Sequence, residues 1–128
     1  MRRGALAGIL LIGALAAAAA DDLDICTDES GDVAIAACTR VIDSTSASKE
    51  NRAQALINRG QEYYSREDYD RAIDDATRAI EIAASKLQVA YSNRGNAWAA
   101  KGDSARAIAD YTRSLRIDPK FPAPRTGR

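Results

Sequence analysis

Two cysteines are the residues of this chain that could form a covalent cross-link. Cys26 and Cys38 are the only cysteines in the 128-residue sequence. The N-terminal sequence, described below, predicts that the chain is exported, and an even cysteine count in an exported chain favours a disulfide. A redox or metal pair is the alternative, but the sequence has no Cys-x-x-Cys and no histidine, and two thiols alone make an incomplete zinc site. We therefore expect no metal and a structural disulfide, which stabilises a loop of this size by about 3 kcal/mol.

Paired acidic residues are the other candidates for chemistry. Glu67 with Asp68, and Asp74 with Asp75, place two carboxylates side by side. We predict exposed helix and cap positions for these residues, where no apolar pocket would raise a pKa for acid–base catalysis. The chain also lacks histidine, the commonest general base, and any Gly-rich phosphate loop or Gly-x-Ser-x-Gly motif. We expect neither enzymatic activity nor a cofactor.

Side-chain amides occur at helical spacing in two segments, which places them on one face of each predicted helix. An asparagine amide both donates and accepts hydrogen bonds, so it suits a peptide group of any sequence. Asn58 and Asn93 share one register and head the candidates. The alternative is the ordinary polarity of a solvated helix. The spacing predicts that one groove is lined by Gln54, Asn58, Gln61, Val89, Asn93 and Asn96.

Arg59 and Arg94 directly follow the two recurring asparagines. Capture of a ligand is one interpretation of this recurrence. We favour packing and an ion pair with a carboxylate on a neighbouring helix, because an arginine stem can also cover apolar surface.

These residues lie in a chain that repeats itself. A ten-residue phrase occurs three times, at steps of 38 and 35 residues, over Ala34–Asp43, Ala72–Glu81 and Ala107–Arg116. Its apolar residues form one stripe along a helix. A residue able to cap the helix precedes each copy, namely Ser30, Asp68 or Asp103. Steps of this length are typical of helix-pair solenoids.

A second helix is predicted ahead of the second and third copies. Ala55–Tyr64 and Ala90–Ala99 both contain the sequence Asn-Arg-Gly. A glycine inside a helix costs about 1 kcal/mol relative to alanine. Its recurrence at Gly60 and Gly95 therefore predicts close contact between the paired helices.

The helix pairs resemble the tetratricopeptide repeat, a helix-turn-helix unit of about 34 residues. Gly60 and Gly95 fall on the glycine of its pattern. The other matching positions are Leu56, Tyr63, Tyr91, Trp98, Ala72, Ala107, Tyr111 and Pro119. The resemblance implies an all-α fold, a short right-handed α-solenoid of about two and a half units. It also implies a concave face, built from the leading helix of each pair, that binds a protein or peptide partner.

The repeat register divides the chain into five parts. The first copy of the phrase has too little sequence before it for a full leading helix, so only a last turn, about residues 23–27, is expected there. Prolines such as Pro119 stop the final helix. The predicted parts are a signal peptide (1–20), a disulfide-tied half repeat (21–49), two repeats (50–87 and 88–121) and a C-terminal tail (122–128).

The predicted function is that of a non-enzymatic interaction module of the cell envelope or secreted fraction. An alternative is a structural or assembly subunit that self-associates or docks through an uncapped C-terminal helix bearing Ile108, Tyr111 and Leu115. Without the signal peptide the chain has 16 basic and 18 acidic residues, a formal net charge of −2. Charges interleaved in this way predict no nucleic-acid partner.

The N-terminus predicts a periplasmic or secreted protein. Arg2 and Arg3 precede an uncharged stretch, Gly4–Ala20, and acidic residues follow from Asp21. This is the pattern of a secretory signal peptide. The uncharged stretch is too short and too weakly hydrophobic for a stable membrane anchor.

We predict that the signal peptide is cleaved after Ala20, because small residues at Ala18 and Ala20 suit a signal peptidase. The mature protein then begins at Asp21. Intact-mass measurement of the protein purified from the cell envelope or medium tests this. A mass that includes residues 1–20 would contradict the cleavage.

Overall fold

The computed structural model describes residue 18 and residues 20–121, and every regular element in this part of the chain is a helix. The helices are α1 (residues 20–28), α2 (Gly31–Asp43), α3 (Lys49–Ser65), α4 (Tyr69–Ile82), α5 (Leu87–Ala100) and α6 (Ser104–Ile117). None of these helices is long and apolar enough to cross a membrane. The predicted tail, and the predicted signal peptide apart from residues 18 and 20, lie outside the described residues.

The helices pack in chain order. α3 contacts α4 and α5 contacts α6, so each forms a pair of a leading and a trailing helix. The pairs stack because α4 contacts α5, and α2 contacts α3 in the same way. The leading helices α3 and α5 also touch each other. This arrangement confirms the predicted all-α helical-repeat solenoid.

Side-chain hydrogen bonds to free backbone amides set the starts of the helices. Asp68 and Asp103 each accept from the backbone amide three residues on, as predicted. The predicted cap at Ser30 is wrong, because its side chain makes no such bond. Instead Glu62 of α3 accepts from the backbone amide of Gly31 at 3.1 Å. The start of α2 is therefore held by the next leading helix.

Alanine forms much of the core. Six alanines of the described residues are fully buried: Ala34, Ala37, Ala55, Ala79, Ala90 and Ala97. All but Ala34 belong to core clusters between neighbouring helices. A methyl side chain lets two helix backbones approach closely. The largest fully buried apolar side chains, Val41 and Leu56, fill the space between α2 and α3. A chain with few aromatic residues can therefore still close its interior.

The two helical glycines lie at close contacts between paired helices, as predicted. An ideal Cβ at Gly95 would lie 2.5 Å from Cε1 of Tyr111, well inside van der Waals distance. In the first unit Ala76 takes the place of Tyr111. An ideal Cβ at Gly60 would therefore be 3.4 Å from its nearest neighbour, Cβ of Asp75.

Tyr111 is not part of an exposed C-terminal surface, contrary to the sequence-based expectation. Its ring is buried against Gly95, and its hydroxyl donates to Oδ1 of Asn96 at 2.8 Å. Ile108 and Leu115, its expected neighbours on that surface, are 63% and 37% exposed. The absence of a side chain at Gly95 thus lets the ring of Tyr111 pack in the interior, while Ile108 and Leu115 stay exposed.

A disulfide ties the N-terminal half unit together, as predicted. The Sγ atoms of Cys26 on α1 and Cys38 on α2 are 2.07 Å apart, and both residues are buried in the core. α1 extends back to residue 20 and is longer than the single turn expected over residues 23–27. The covalent bond holds this short helix against α2.

We predict that Gly95→Ala and Gly60→Ala change the free energy of unfolding in opposite directions. At Gly95 the added methyl group displaces the buried ring of Tyr111, and overpacking of this kind costs about 1–3 kcal/mol. At Gly60 the methyl group fits, and alanine is favoured over glycine in a helix by up to about 1 kcal/mol. Urea denaturation of both variants measures the difference. Equal destabilisation would contradict the close contact at Gly95.

Candidate functional site

A depression of about 260 Å³ lies between the two leading helices. α3 and α5 both contribute to its walls, so it occupies the face on which the predicted groove residues were placed. It is lined by Gln61, Tyr64, Ser65, Asn93 and Asn96. Three of the six predicted residues are therefore brought together here. All five lining side chains are uncharged.

The side-chain nitrogen of Asn93, a residue that lines this depression, is an unpaired hydrogen-bond donor. Its side-chain Nδ2 is buried and has no hydrogen-bond partner among the described residues. A buried donor without an acceptor costs about 1–3 kcal/mol. The last side-chain torsion of asparagine is soft, so a rotation can turn the amide toward the depression that the same side chain lines.

Asn58 occupies the equivalent position of the first unit and is fully engaged. Its Nδ2 donates to Oγ1 of Thr27 at 3.3 Å, and its Oδ1 accepts from Nε2 of Gln54 at 2.9 Å. Nζ of Lys86 in turn donates to Oε1 of Gln54 at 2.6 Å. The two asparagines therefore share a register but differ in their hydrogen bonding.

The preceding leading helix explains this difference. Asn58 meets Cys26 and Thr27 of α1. The repeat step places Tyr64 and Ser65 of α3 at the corresponding positions beside Asn93. Cys26 is held inward by its disulfide, whereas Tyr64 is exposed. The depression is therefore closed in the first unit and open in the second.

Tyr64 and Ser65 are site residues that the sequence analysis missed. They follow Gln61 by three and four residues, which is the same helical spacing that identified the amides. The predicted residues are mostly amide side chains, and neither an aromatic ring nor a hydroxyl is among them.

A second depression of about 260 Å³ lies near the start of α3. Gln54 and Lys86 line it and bind each other, and Glu50 accepts from the hydroxyl of Ser85 at 2.9 Å. Its polar groups are thus largely paired among themselves. The remaining predicted residue, Val89, lines neither depression and packs half-buried against the core.

Arg94 joins three helices. Its Nε and Nη2 donate to the two carboxylate oxygens of Asp110 on α6, both at 2.8 Å, and its Nη1 donates to Oγ1 of Thr77 on α4 at 3.2 Å. One unit earlier the same cluster, at 2.7–3.0 Å, consists of Arg59, Asp75 and Thr39. The predicted ion pair of each arginine with a neighbouring helix is confirmed.

Both carboxylates of these clusters are buried. Asp75 is 3% and Asp110 2% exposed, so the prediction of a solvated position was wrong for Asp75, although its neighbour Asp74 is exposed. The hydrogen bond to Asp75 raises the pKa of Arg59 above its usual value, while burial acts in the opposite direction. Asp110 raises the pKa of Arg94 in the same way. Both guanidinium groups are therefore held in their charged form at the contact between the helices.

The cations at the ends of the leading helices are also paired. Arg66 forms an ion pair with Asp32, and Lys101 forms one with Asp70. A ligand's carboxylate would have to compete with these ion pairs. Within the described part of the chain no three His, Cys, Asp or Glu side chains come together as metal ligands.

We predict that Asp75→Ala lowers the free energy of unfolding by about 3 kcal/mol, because it leaves the partly buried guanidinium of Arg59 without its counter-ion. Asp74→Ala is the matched control, since Asp74 is the adjacent residue and is exposed. Its effect should stay within about 0.5 kcal/mol. Urea denaturation followed by circular dichroism measures both. Similar values for the two variants would show that the buried pair does not hold the helices together.

Comparison with known sequences agrees with the repeat geometry. A sequence model of the tetratricopeptide repeat matches residues 53–85 and 89–121, which contain most of the α3–α4 pair and of the α5–α6 pair. The matches cover 66 of the 128 residues. No curated protein and no solved structure is significantly similar to the chain. With more than half of its length matched and its helices paired as that repeat requires, the chain belongs to the tetratricopeptide repeat family.

Proposed function

We propose that this protein is a non-enzymatic interaction module of the cell envelope or secreted fraction, and that it binds an extended peptide segment of a partner protein between α3 and α5. Tetratricopeptide repeats generally mediate protein–protein interactions, which supports a protein partner. The depression beside Asn93 is the place for the peptide, because its counterpart in the first unit is closed by α1.

The unpaired Nδ2 of Asn93 is the observation that carries this proposal. A backbone carbonyl of a peptide is an acceptor that every sequence supplies. Binding would satisfy a donor that the free protein leaves unmet, so the cost of that unmet donor in the free state adds to the affinity.

The other lining residues favour an uncharged, extended segment. Gln61 and Ser65 add neutral donors and acceptors along the same wall. The exposed ring of Tyr64 offers apolar surface for a peptide side chain and a hydroxyl for a hydrogen bond. Because Arg66 and Lys101 are already paired, a free C-terminal carboxylate is not the expected anchor.

Two further observations support a binding rather than a catalytic role. Proteins built from this repeat are generally interaction modules. The buried carboxylates Asp75 and Asp110, which would otherwise be the first candidates for acid–base chemistry, are each bound to a guanidinium.

Location in the envelope or medium rests on two features of the sequence and structure. The N-terminal residues follow the pattern of a signal peptide. The disulfide between Cys26 and Cys38 is of a kind that persists in oxidising compartments and is rare in the cytosol.

A library of random peptides displayed on phage, selected on the mature protein, tests the binding site. We predict that Asn93→Ala raises the dissociation constant of the selected peptides about fivefold. This corresponds to the roughly 1 kcal/mol contributed by one hydrogen bond. The free energy of unfolding should not fall, because the removed Nδ2 has no partner in the free protein. Isothermal titration calorimetry and urea denaturation measure the two quantities.

Two other asparagines serve as controls. Asn51 lines the second depression and is exposed, so Asn51→Ala should leave peptide affinity unchanged. Asn58→Ala should lower stability instead, because its side chain bonds to α1. Selected peptides that bind Asn93→Ala as tightly as the wild type, or that lose affinity with Asn51→Ala, would place the site elsewhere and contradict the proposal.

A further inference from the structure

One side of α6 has no partner within the described residues. Ile108 is 63% exposed, whereas Ile73, at the same position of α4, is 9% exposed because α5 covers it. Leu115 is likewise more exposed than its counterpart Ile80, which packs against the core. α6 thus repeats the surface on which α4 receives the next leading helix. We call Ser104, Ile108, Thr112 and Leu115 the C-terminal stripe.

The contact of α3 with α2 shows how a leading helix covers such a stripe. Arg66 pairs with Asp32 near the start of α2. Glu62, one turn earlier on α3, accepts from the backbone amide of Gly31. The ion pair recurs where α5 meets α4, between Lys101 and Asp70. Two positions of a leading helix therefore reach the start of the trailing helix before it.

α1 carries acidic residues at the positions of these contacts. The 38-residue step takes the α3 residues at positions 59, 62 and 66 back to Asp21, Asp24 and Asp28. All three are exposed, and none forms an ion pair with the residues that the structure describes. We call them the N-terminal stripe.

The two ends of the described solenoid differ in charge from its internal contacts. Inside the solenoid the second residue of the trailing helix is acidic, Asp32 or Asp70, and it meets a cation. In α6 that position is Ala105, and Arg116 stands where α4 has Glu81. At these contact positions α6 thus has no acidic residue, and acidic residues stand instead on α1, where α3 carries Arg59, Glu62 and Arg66. The C-terminal stripe itself is uncharged, and the adjacent Arg116 is the cation that the N-terminal stripe can meet.

We propose that the N-terminal stripe of one copy of this chain packs on the C-terminal stripe of a second copy and continues the solenoid. Asp24 then reaches the first amide of α6, at Ser104, as Glu62 reaches Gly31. Asp28 lies over Ala105, and the carboxylate of the neighbouring cap, Asp103, is already bound to the backbone amide and the guanidinium of Arg106. Both acidic residues meet the positive end of the α6 dipole, which favours them.

The same register continues toward the end of α6. Asp21 corresponds to Arg59, which donates to Thr39, so in the assembly Asp21 faces Thr112. Arg116 lies one turn further along α6, within reach of that carboxylate. The stacked helix removes Ile108 from water. This inference is independent of any ligand between α3 and α5.

A head-to-tail contact of this kind does not close on itself as a two-fold dimer does. Each added copy exposes a new C-terminal stripe, so open-ended assembly follows. Sedimentation equilibrium of the protein as the cell processes it should therefore show an average mass that keeps rising with concentration beyond two copies. A mass that stays at one copy, or that stops at two, overturns the proposal.

Charge substitutions at the two stripes identify the contact. Ala105→Asp places a carboxylate opposite Asp28 and should raise the dissociation constant about tenfold. The fold tolerates this change, because Asp32 and Asp70 occupy the same position of α2 and α4. Combining it with Asp28→Arg in one chain recreates the internal pair of Arg66 with Asp32 and should restore the wild-type mass distribution.

Ala109→Asp is the matched control for this substitution. It makes the same change on the same helix, outside the C-terminal stripe, at an exposed position where α4 already carries Asp74. It should leave the dissociation constant unchanged. Equal effects of Ala105→Asp and Ala109→Asp, or failure of Asp28→Arg to restore assembly, would overturn the proposed contact.

Discussion

Arg94 reaches from one leading helix to two trailing helices at once, and the rest of the structure depends on this contact and on its copy at Arg59. The planar guanidinium binds both oxygens of a carboxylate, which fixes distance and rotation between paired helices together. The glycine that follows each arginine lies at the same contact between paired helices. A Cβ at Gly95 would overlap the ring of Tyr111, whereas one at Gly60 would be in ordinary contact with Cβ of Asp75. In the Asn-Arg-Gly sequence the arginine therefore joins the helices in both units, and the glycine is required by close packing only in the second.

Much of the fold could be predicted from the sequence, because the apolar residues of repeated helices recur at fixed spacings. The close contacts at Gly60 and Gly95 followed from the cost of glycine in a helix. Burial of Asp75 could not be predicted, since an aspartate in an amphipathic helix reads as a surface residue until its partner is known. The cap of α2 was missed for the same reason: Glu62 is distant in sequence and acts through tertiary packing.

The candidate site shows where a repeat pattern stops being informative. Asn58 and Asn93 are both followed by Arg-Gly and share one repeat register, so the repeat pattern assigns them the same role. Their surroundings differ because Asn58 faces a half unit whose cysteine is drawn inward, and Asn93 faces a tyrosine that is not. The difference lies in the preceding helix, outside the repeated phrase. The half unit that precedes α3 thus leaves this depression closed beside Asn58 and open beside Asn93.

The disulfide also makes the two ends of the described solenoid unequal. In repeat proteins each unit is stabilised chiefly by its neighbours. α2 has α3 on one side and a covalently attached α1 on the other, whereas α6 has only α5 within the described residues. Local opening therefore costs least at α6 and most near the cross-link. In a single, unassembled copy α3 therefore lies on the more stable side of the depression, next to the cross-linked half unit, and α5 lies on the side that opens more easily.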